Sequence, residues 1–431
     1  MASRGDRERL RKLEANTFRY FWEETNAGTG LIADNTTDDQ VPCSIAGVGM
    51  ALACIAVGAE RGFVSRARAV ERVLVTLRFL SNAPQGPDPD ASGYRGFFYH
   101  FLDMGTGRRA WRCELSTMDT AILMAGALTA AAYFDRKTAA ERELRGLAEA
   151  LYRRVDWRWA QNGGATVSHG WKPETGFLRY RWQGYNEALL LYVLGLGSPT
   201  HPLPARSYRA WTSTYRWRKI YGFELLHGSA LFMHQLSHQW IDFRGIRDAF
   251  MRRHDSDYFE NSRRATFVNQ EYAIRNPKGF RGYGEFAWGI TASNGPGPAT
   301  RGRRRFLGYE ARGVPFGPDD GTFAPWAVAA SLPFTPELVL ATLRHCSSAF
   351  PKMENQYGLV CSLNPSFGSS GWISKNHFAI DQGPVVMAIE NYTTGLVWRL
   401  LQNCPAVVRG LRRAGFKGGW LTRRGMRAMP D

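Results

Sequence analysis

Apolar residues recur at helical spacing in eight segments of this chain, and this repeat restricts the fold more than any other feature. The segments are 10–25, 44–59, 65–82, 117–133, 138–155, 185–196, 336–350 and 384–401. Steps of three and four residues bury one side of an α-helix, whereas a half-buried strand alternates at every second residue. Weaker helical patterns bring the expected number of helices to roughly a dozen. They surround Tyr208, Phe232, Ala249, Phe267 and Ala327. The sequence therefore predicts an all-α fold.

Some of these segments carry residues that favour a helix start. Thr138 and Glu141 have the spacing of a capping box, in which each side chain binds the other residue's backbone N–H. Pro336 and Pro384 suit a first helical turn, where the missing N–H costs no hydrogen bond. We expect helices to begin at these points.

Long connections rich in glycine, proline and aromatic residues separate the helical segments. They cover 85–107, 162–182, 276–320 and 360–380. We expect two or three short strands within them, for example in 97–102 and 359–363, but there is no alternation of strand and helix that would indicate a doubly wound sheet. About a dozen helices fit six helical hairpins in a ring, that is, a toroid. Long aromatic loops at one end of such a ring would form a cleft suited to a polymer.

Length and the chain start give expectations about domains and location. We interpret residues 1–431 as a single catalytic domain, with a basic C-terminal tail at about 411–431. Residues 1–11 are charged and lack the apolar core of a signal peptide, and no segment is long and apolar enough for a membrane span. The sequence as written predicts a cytoplasmic protein, or a periplasmic or secreted one if a signal was removed.

Charge and cysteine usage exclude several classes of function. The 55 basic residues exceed the 38 acidic ones, giving a net charge of +17, but they are spread along the chain. We interpret them as a solvated basic surface and expect no specific nucleic-acid partner, since nucleic-acid binders concentrate such charge. The six cysteines form no C-x-x-C pair, which predicts buried thiols and no zinc site.

Glu187 is the first candidate for an acid that breaks glycosidic bonds. Hydrolysis of such a bond uses two carboxylic groups, and sugar rings bind to aromatic faces. Arg179-Tyr-Arg-Trp-Gln-Gly-Tyr-Asn-Glu187 ends a loop and opens an apolar helix, with Trp182 and Tyr185 nearby. The alternative role of Glu187 is an acid of the first helical turn, where the helix dipole lowers a carboxyl pKa.

Asp119 and Glu114 are the candidates for the second acid. Both lie where the loop after Trp111 enters the helix predicted for 117–133. Ser116 and Asp119 also have capping-box spacing, so Asp119 has a structural alternative as part of a helix terminus.

His234, His238 and Asp242 lie four residues apart and would share one face of a helix. A metal site is one interpretation of this row, and a hydrogen-bonded or sugar-contacting face is the favoured one. Further acids lie among aromatics in 269–272, 283–288, 318–321 and 381–385. The sequence contains no G-x-S-x-G, Walker A or dinucleotide-binding motif.

Five separated blocks resemble the putative glucoamylase family, that is, glycoside hydrolase family 144 and its relatives. The blocks are Glu114-Leu-Ser-Thr-Met-Asp-Thr-Ala-Ile-Leu, Gly184-Tyr-Asn-Glu-Ala, His234-Gln-Leu-Ser-His-Gln-Trp-Ile-Asp-Phe-Arg, Asp320-Gly-Thr-Phe-Ala-Pro-Trp and Asp381-Gln-Gly-Pro-Val-Val-Met-Ala-Ile-Glu-Asn-Tyr. This family includes endo-β-1,2-glucanases and the transglycosylase domain of cyclic β-1,2-glucan synthases. The resemblance implies an (α/α)6 barrel with a cleft for β-1,2-glucan, with Glu187 and Asp119 as essential acids and Glu114 in reserve. We expect this cleft to hydrolyse the glucan.

The remaining matched or aromatic-flanked residues are expected to bind sugar. They are Trp182, Tyr185, Asn186, His234, His238, Asp242, Gln270, Glu271, Tyr272, Trp288, Asp320, Asp381 and Glu390. We expect a monomer that takes an oligosaccharide or polysaccharide and uses no cofactor and no metal ion. Two alternatives stay open: transfer of glycosyl units instead of hydrolysis, and a non-catalytic protein that binds carbohydrate or a polyanion.

Overall fold

The computed structural model describes residues 3–37 and 42–423, and this part of the chain contains fifteen α-helices. They are α1 (Arg4–Glu23), α2 (Ile45–Arg61), α3 (Arg66–Asn82), α4 (Thr117–Tyr133), α5 (Ala139–Arg154), α6 (Ala188–Gly197), α7 (Ala205–Thr212), α8 (Ala249–Arg253), α9 (Tyr258–Arg275), α10 (Pro325–Ala330), α11 (Pro336–Ala349), α12 (Ala379–Thr393), α13 (Leu396–Gln402), α14 (Pro405–Arg413) and α15 (Gly419–Arg423).

The helices form an (α/α)6 barrel, which confirms the all-α prediction. Its inner ring runs from α12 to α2, α4, α6, the 3-10 segment 231–239 and α10, and α10 packs against α12 to close the ring. Outer helices α1, α3, α5, α7, α9 and α11 alternate with these in the sequence. The inner helices α2, α4, α6 and α12 are buried on nearly every side, since each is enclosed by neighbours.

Glycines let two inner helices approach each other closely. A Cβ at Gly126 of α4 would lie 1.9 Å from the carbonyl oxygen of Gly49 in α2, and one at Gly49 would lie 2.4 Å from that of Ile122. A side chain at either position would push the two helices apart. These glycines therefore set the spacing of the ring next to its cavity.

Two of the predicted helix starts differ in detail from the structure. The Thr138 side chain accepts a hydrogen bond from the Glu141 N–H, but the Glu141 carboxylate binds Arg66 and the Arg136 N–H instead of completing the capping box. The first-turn position expected for Pro384 is wrong, because α12 begins five residues earlier, at Ala379. Inside a helix, residue 384 would donate its N–H to the carbonyl of Ile380, but a proline has no N–H to donate. Both Pro384 and Ile380 line the cavity of the barrel.

The segment predicted as a helix around Phe232 is instead two 3-10 turns, Leu231–His234 and Leu236–Gln239. His234, His238 and Asp242 consequently do not share one helical face. The buried side chains of residues 231–239 bind partners outside this segment. Gln235, for example, donates to the carbonyl of Ala327 and to the hydroxyl of Ser331, each at 2.7 Å. The backbone itself keeps the i to i+3 hydrogen bonds of a 3-10 turn, such as that from the Gln235 N–H to the Phe232 carbonyl at 2.9 Å.

The loops contain more strands than the two or three expected, although each strand is short. They are Cys43–Ser44, Gly93–Tyr94, Phe97–Tyr99, Phe101–Leu102, Leu115–Ser116, Gly170–Lys172, Gly176–Phe177, Trp217–Ile220, Phe223–Leu226, Ala292–Ser293, Ala299–Arg301, Arg304–Phe306, Glu310–Ala311, Glu354–Asn355, Gly358–Leu359, Leu363–Asn364 and Trp372–Ile373. Antiparallel pairs of this length show little alternation in a sequence, so periodicity does not reveal them. The largest sheet has five strands and ties 93–99 to 115–116 and 170–177.

The end of the described chain is packed against the barrel. Leu411, Phe416 and Leu421 are buried in the main core, and residues 424–431 of the predicted basic tail lie outside the described residues. All six cysteines are buried free thiols, as expected. Among residues 3–37 and 42–423, no helix has the length and hydropathy of a membrane span.

Candidate active site

A cavity of about 620 Å³ opens at the end of the barrel where the inner helices begin. Ser44, Ser116 and Glu187 immediately precede α2, α4 and α6, and all three line it. Trp326 and Asp381 line it from the first turns of α10 and α12. Helix N-termini carry partial positive charge, so this end of the ring favours negatively charged side chains.

Five carboxylic acids line the cavity, and no Lys or Arg is among its described lining residues. The acids are Asp34, Glu114, Asp119, Glu187 and Asp381. Burial raises the pKa of Asp34 and raises that of Asp381 well above its usual range. The cavity is thus lined by acids although the net charge of the chain is +17. The excess of basic residues therefore lies outside the cavity lining.

Glu187 occupies the N-cap position of α6, but its side chain makes no capping hydrogen bond. Its Oε2 is shielded from solvent and has no hydrogen-bond partner. Burial, aided by the charge of Asp119, raises the pKa of Glu187 to about 7, although a backbone hydrogen bond acts in the opposite direction. The dipole alternative would have lowered this pKa. Near pH 7 Glu187 therefore exists in both its protonated and its charged form.

Asp119 lies in the first turn of α4, beneath the same cavity. Its backbone N–H donates to Ser116 Oγ at 3.2 Å, and the Ser116 hydroxyl donates to its carboxylate. Only the serine half of the predicted capping box is thus present, because the Asp119 carboxylate binds the Ser116 hydroxyl and not its backbone N–H. The same carboxylate faces the cavity and lies 3.7 Å from Nε2 of His100, so capping leaves it available to a ligand.

His100 connects Asp119 to Glu114. Its Nδ1 is 2.9 Å from Glu114 Oε1, and its ring stacks on Phe101 at a centroid distance of 4.0 Å. Burial acts to lower the pKa of His100, but Asp119, Glu114 and Asp34 outweigh it and raise the pKa to about 9. His100 is therefore an imidazolium at neutral pH, between two of the candidate acids.

Aromatic rings form much of the cavity wall. Trp182 stacks on His169 at 3.9 Å, and its Nε1 donates to Thr117 Oγ1 at 3.1 Å, which fixes the indole beside α4. The other aromatic lining residues are Phe101, Phe232, Tyr309, Trp326 and Phe378. Flat apolar faces next to carboxylates form the surface that a sugar ring requires.

Comparison with known families identifies the chain. The Glycoamylase family model, described as putative glucoamylase, matches residues 179–405, which is more than half of the sequence and includes Glu187 and Asp381. The chain belongs to this family.

Solved structures of relatives share the fold over nearly the whole chain. A putative glucoamylase from Bacteroides uniformis is 31% identical with a TM-score of 0.87, covering 98% of this chain and 100% of the other. An endo-β-1,2-glucanase from Chitinophaga pinensis, solved with sophorotriose and glucose, is 27% identical with a TM-score of 0.83, covering 98% and 100%.

A curated relative is an exo β-1,2-glucooligosaccharide sophorohydrolase (non-reducing end) from Parabacteroides distasonis. It is 27% identical over 442 residues, which cover 95% of this chain. The chain spans 58% of the length of that relative.

Several candidate residues of this Glycoamylase family member lie behind the cavity wall. Tyr185 packs among Tyr215, Tyr258 and His234, while Asn186 binds the backbone of Gln183 and Ala188. Their side chains support the turn that carries Glu187.

The histidine row is buried in protein contacts. His234 Nε2 lies 3.1 Å from the backbone N and O of Gly228, and His238 Nε2 lies 3.0 Å from Ser262 Oγ. Burial lowers the pKa of both rings to about 3, so both are neutral. Asp242 pairs with Arg244 at 2.7 Å. Within residues 3–37 and 42–423, no group of three or more His, Cys, Asp or Glu side chains is arranged to hold a metal ion.

The other expected sugar-binding residues are also outside the cavity lining, apart from Trp182 and Asp381. Gln270 binds the carbonyl of Glu285, Glu271 pairs with Arg275, and the Tyr272 hydroxyl donates to Asp319. Trp288 is fully buried and donates to Thr342, and Asp320 forms a buried ion pair with Arg312 at 2.7 Å. Glu390 is buried in α12 and contacts Arg61 at 2.5 Å.

Sequence reasoning missed His100, Asp34 and His169 among the residues that line the cavity. His100 lies between Tyr99 and Phe101 in one of the long aromatic loops. The aromatic flanks were the available signal, and distance along the chain concealed the contact with Asp119.

Proposed function

We propose that this protein is a glycoside hydrolase that cleaves internal β-1,2 linkages of glucan. Membership of the Glycoamylase family and the names of its relatives, which include an endo-β-1,2-glucanase and a sophorohydrolase, support the substrate class. The observation that carries the proposal is Glu187, a carboxyl with a pKa of about 7 at the cavity surface beside Asp119.

Glu187 acts as the general acid. Departure of the sugar leaving group requires a proton on the glycosidic oxygen, and an acid with a pKa near the working pH both holds and releases that proton. The unpartnered Oε2 supports this role, since no protein group competes for it. Protonation of the oxygen weakens its bond to the anomeric carbon, which develops positive charge that the surrounding carboxylates stabilise.

Asp119 acts as the second carboxylate. It either activates a water molecule or attacks the anomeric carbon, and the anomer of the first product distinguishes the two routes. The Ser116 hydroxyl and His100 hold its side chain at the cavity surface. Glu114, bound to the opposite nitrogen of His100, orients the imidazolium rather than the substrate.

A neutral sugar polymer fits the wall of the cavity. Trp182, Phe101 and Trp326 offer apolar faces, and the acids accept hydrogen bonds from sugar hydroxyls. An anionic substrate would meet five carboxylic acids and no Lys or Arg among the described lining residues, and the imidazolium of His100 is already paired with Glu114 and Asp119. All the groups assigned to catalysis come from one chain, so we propose that the monomer is sufficient for activity. Light scattering during turnover tests this, and we expect the molar mass of a single chain.

The direct experiment is incubation of the purified protein with linear β-1,2-, β-1,3- and α-1,4-glucans. We expect new reducing ends from the β-1,2-linked polymer alone, and products of several lengths early in the reaction because cleavage is internal. Release of only disaccharide from the first turnovers would contradict internal cleavage. Products longer than the substrate with few new reducing ends would favour glycosyl transfer.

A further inference from the structure

Trp111 is a large aromatic residue that the fold holds in solvent at the edge of the cavity. The residue is 67% exposed, and its ring centroid lies 5.1 Å from that of Phe101, which lines the cavity. Phe101 stacks in turn on His100. The three rings therefore form a row that leads from solvent to the imidazolium beside Asp119.

The backbone at this point is in an unfavourable conformation. Trp111 and Arg112 have φ values of 53° and 49°, and the Cys113 N–H donates to the Ala110 carbonyl at 3.1 Å. Positive φ at both central residues is the pattern of a type I′ turn, where Asn-Gly is favoured. A tryptophan in this region is a rare outlier, which other contacts must hold in place.

A buried arginine supplies those contacts. The Arg109 side chain is only 2% exposed, and its guanidinium donates to the carbonyls of Cys113 at 2.6 Å and Arg112 at 2.8 Å. It also pairs with Glu174 at 2.7 Å, and Lys172 donates to the Arg112 carbonyl at 3.0 Å. The turn is thus fixed although the indole that it carries contributes little buried area to the core.

We propose that Trp111 is a stacking platform for a glucosyl unit of the substrate chain outside the cavity, and that it gives the enzyme its preference for long glucans. This inference rests on the proposed function. A pyranose ring has an apolar face that covers an exposed indole, and the contact with Phe101 makes this platform continuous with the cavity wall. A fixed indole binds without first being ordered, so its contribution appears as affinity.

The test compares Trp111→Ala and Trp111→Tyr with the parent on long β-1,2-glucan and on the shortest β-1,2-gluco-oligosaccharide that the parent cleaves. For W111A we expect kcat/KM on the long chain to fall roughly three- to tenfold through KM, with the short substrate unaffected. W111Y restores most of the loss. Equal losses on both substrates, or no loss, would overturn the inference.

Phe316→Ala is the matched control. Phe316 is 64% exposed and packs against His227 and Arg218, neither of which lines the cavity. We expect F316A to leave the chain-length preference unchanged, and an equal change in F316A would overturn the specific role of Trp111. So would a loss of self-association in W111A without any change in chain-length preference, since that would make the indole a contact between copies.

A binding measurement separates this inference from the proposed function. Retardation of E187Q in native gels containing β-1,2-glucan is compared with that of the double variant E187Q/W111A. If the parent cleaves no glucan, the proposed function fails, but weaker retardation of E187Q/W111A than of E187Q would still support the platform. Equal mobility of the two proteins would overturn the platform whether or not the parent is active.

Discussion

Asp119 and Glu187 line one cavity, and the charge of Asp119 adds to burial in raising the pKa of Glu187 to about 7. The two residues are 68 positions apart in the sequence. Asp119 lies in the first turn of α4, and Glu187 immediately precedes α6. The ring brings the N-termini of these helices to the same end, so the pairing of the two acids is a consequence of the barrel. A carboxyl that still holds its proton near neutral pH can serve as the acid of such a pair.

The pH profile is the first prediction. Glu187 donates only when protonated, so kcat/KM falls as pH rises through about 7, by tenfold per further pH unit. Initial rates from about pH 5 to about pH 9 at low substrate concentration test this. A profile that stays flat to pH 9 would exclude Glu187 as the acid.

Asp119→Asn distinguishes catalysis from capping. The amide is isosteric and keeps an oxygen that accepts the Ser116 hydroxyl, so we expect α4 and the melting temperature to change little. We expect kcat to fall by about a hundredfold or more, because the amide is neither base nor nucleophile. Glu114→Gln is the comparison and should cost less. A lowered melting temperature with full activity in D119N would assign Asp119 to the helix terminus alone.

His100→Gln tests the imidazolium between the acids. Burial acts to raise the pKa of Glu114, while the hydrogen bond and charge of His100 dominate and lower it. Loss of the cation should raise the pKa of Glu114, which an infrared titration of its carboxyl measures, and should leave the Asp119 carboxylate without the ring that holds it. We expect kcat to fall by about ten- to a hundredfold with a smaller change in KM.

His201→Gln is the control for that variant, since His201 is exposed and outside the cavity lining. H201Q should leave both the activity and the Glu114 pKa unchanged. A loss of activity in H100Q without a rise in the Glu114 pKa would indicate a purely structural role for His100.

A second buried acid pair makes stability depend on pH. Glu14 of α1 and Glu390 of α12 are both buried and contact Arg61, with Oε2 of Glu14 at 3.3 Å and that of Glu390 at 2.5 Å from Nε. Burial raises the pKa of Glu14 to about 8; the charges of Arg61 and Arg11 lower it, and Glu390 raises it further. One arginine thus faces two carboxyl groups in the interior.

The sign of the effect follows from the proton balance. The folded state keeps the Glu14 proton up to about pH 8, whereas the unfolded chain releases it near pH 4.5. The contribution of Glu14 to the free energy of unfolding is therefore fully present below pH 4.5. It declines between pH 4.5 and about 8, at up to about 1.4 kcal/mol per pH unit. In urea titrations, Glu14→Gln should flatten this decline, and Glu8→Gln on the exposed side of α1 should not. Identical slopes for the parent and E14Q would contradict the protonated state of Glu14.

The sequence predicted the helices of the ring far better than the geometry of the site. Helix α4 agrees with the predicted 117–133, because a long apolar run with a serine cap is a local signal. The predicted 384–401 helix divides at Gly395, whose φ of 71° separates α12 from α13. The segment 231–239 does not form the predicted α-helix, because its side chains bind α10 through contacts that no local sequence pattern reveals.

The site residues show the same division between local and distant signals. Glu187, Asp119 and Trp182 could be predicted from the sequence because acids and aromatics cluster at helix starts. Trp288 and Asp320 have similar sequence surroundings, yet their side chains are committed to Thr342 and Arg312. His100 was missed because its partners, Glu114 and Asp119, lie in a different loop and helix. Burial and pairing across the ring decide which polar residues meet a substrate.

The most direct test of the central claim is reducing-end release from linear β-1,2-glucan by the parent, by Glu187→Gln and by Glu149→Gln. Glu149 is the matched control, since it lies on α5 with 66% of its side chain exposed. We expect release by the parent and E149Q at equal rates, and a rate about a thousandfold lower for E187Q, whose amide cannot donate the catalytic proton. No release by the parent, or equal release by E187Q, would contradict the assignment of Glu187 as the acid of a β-1,2-glucanase.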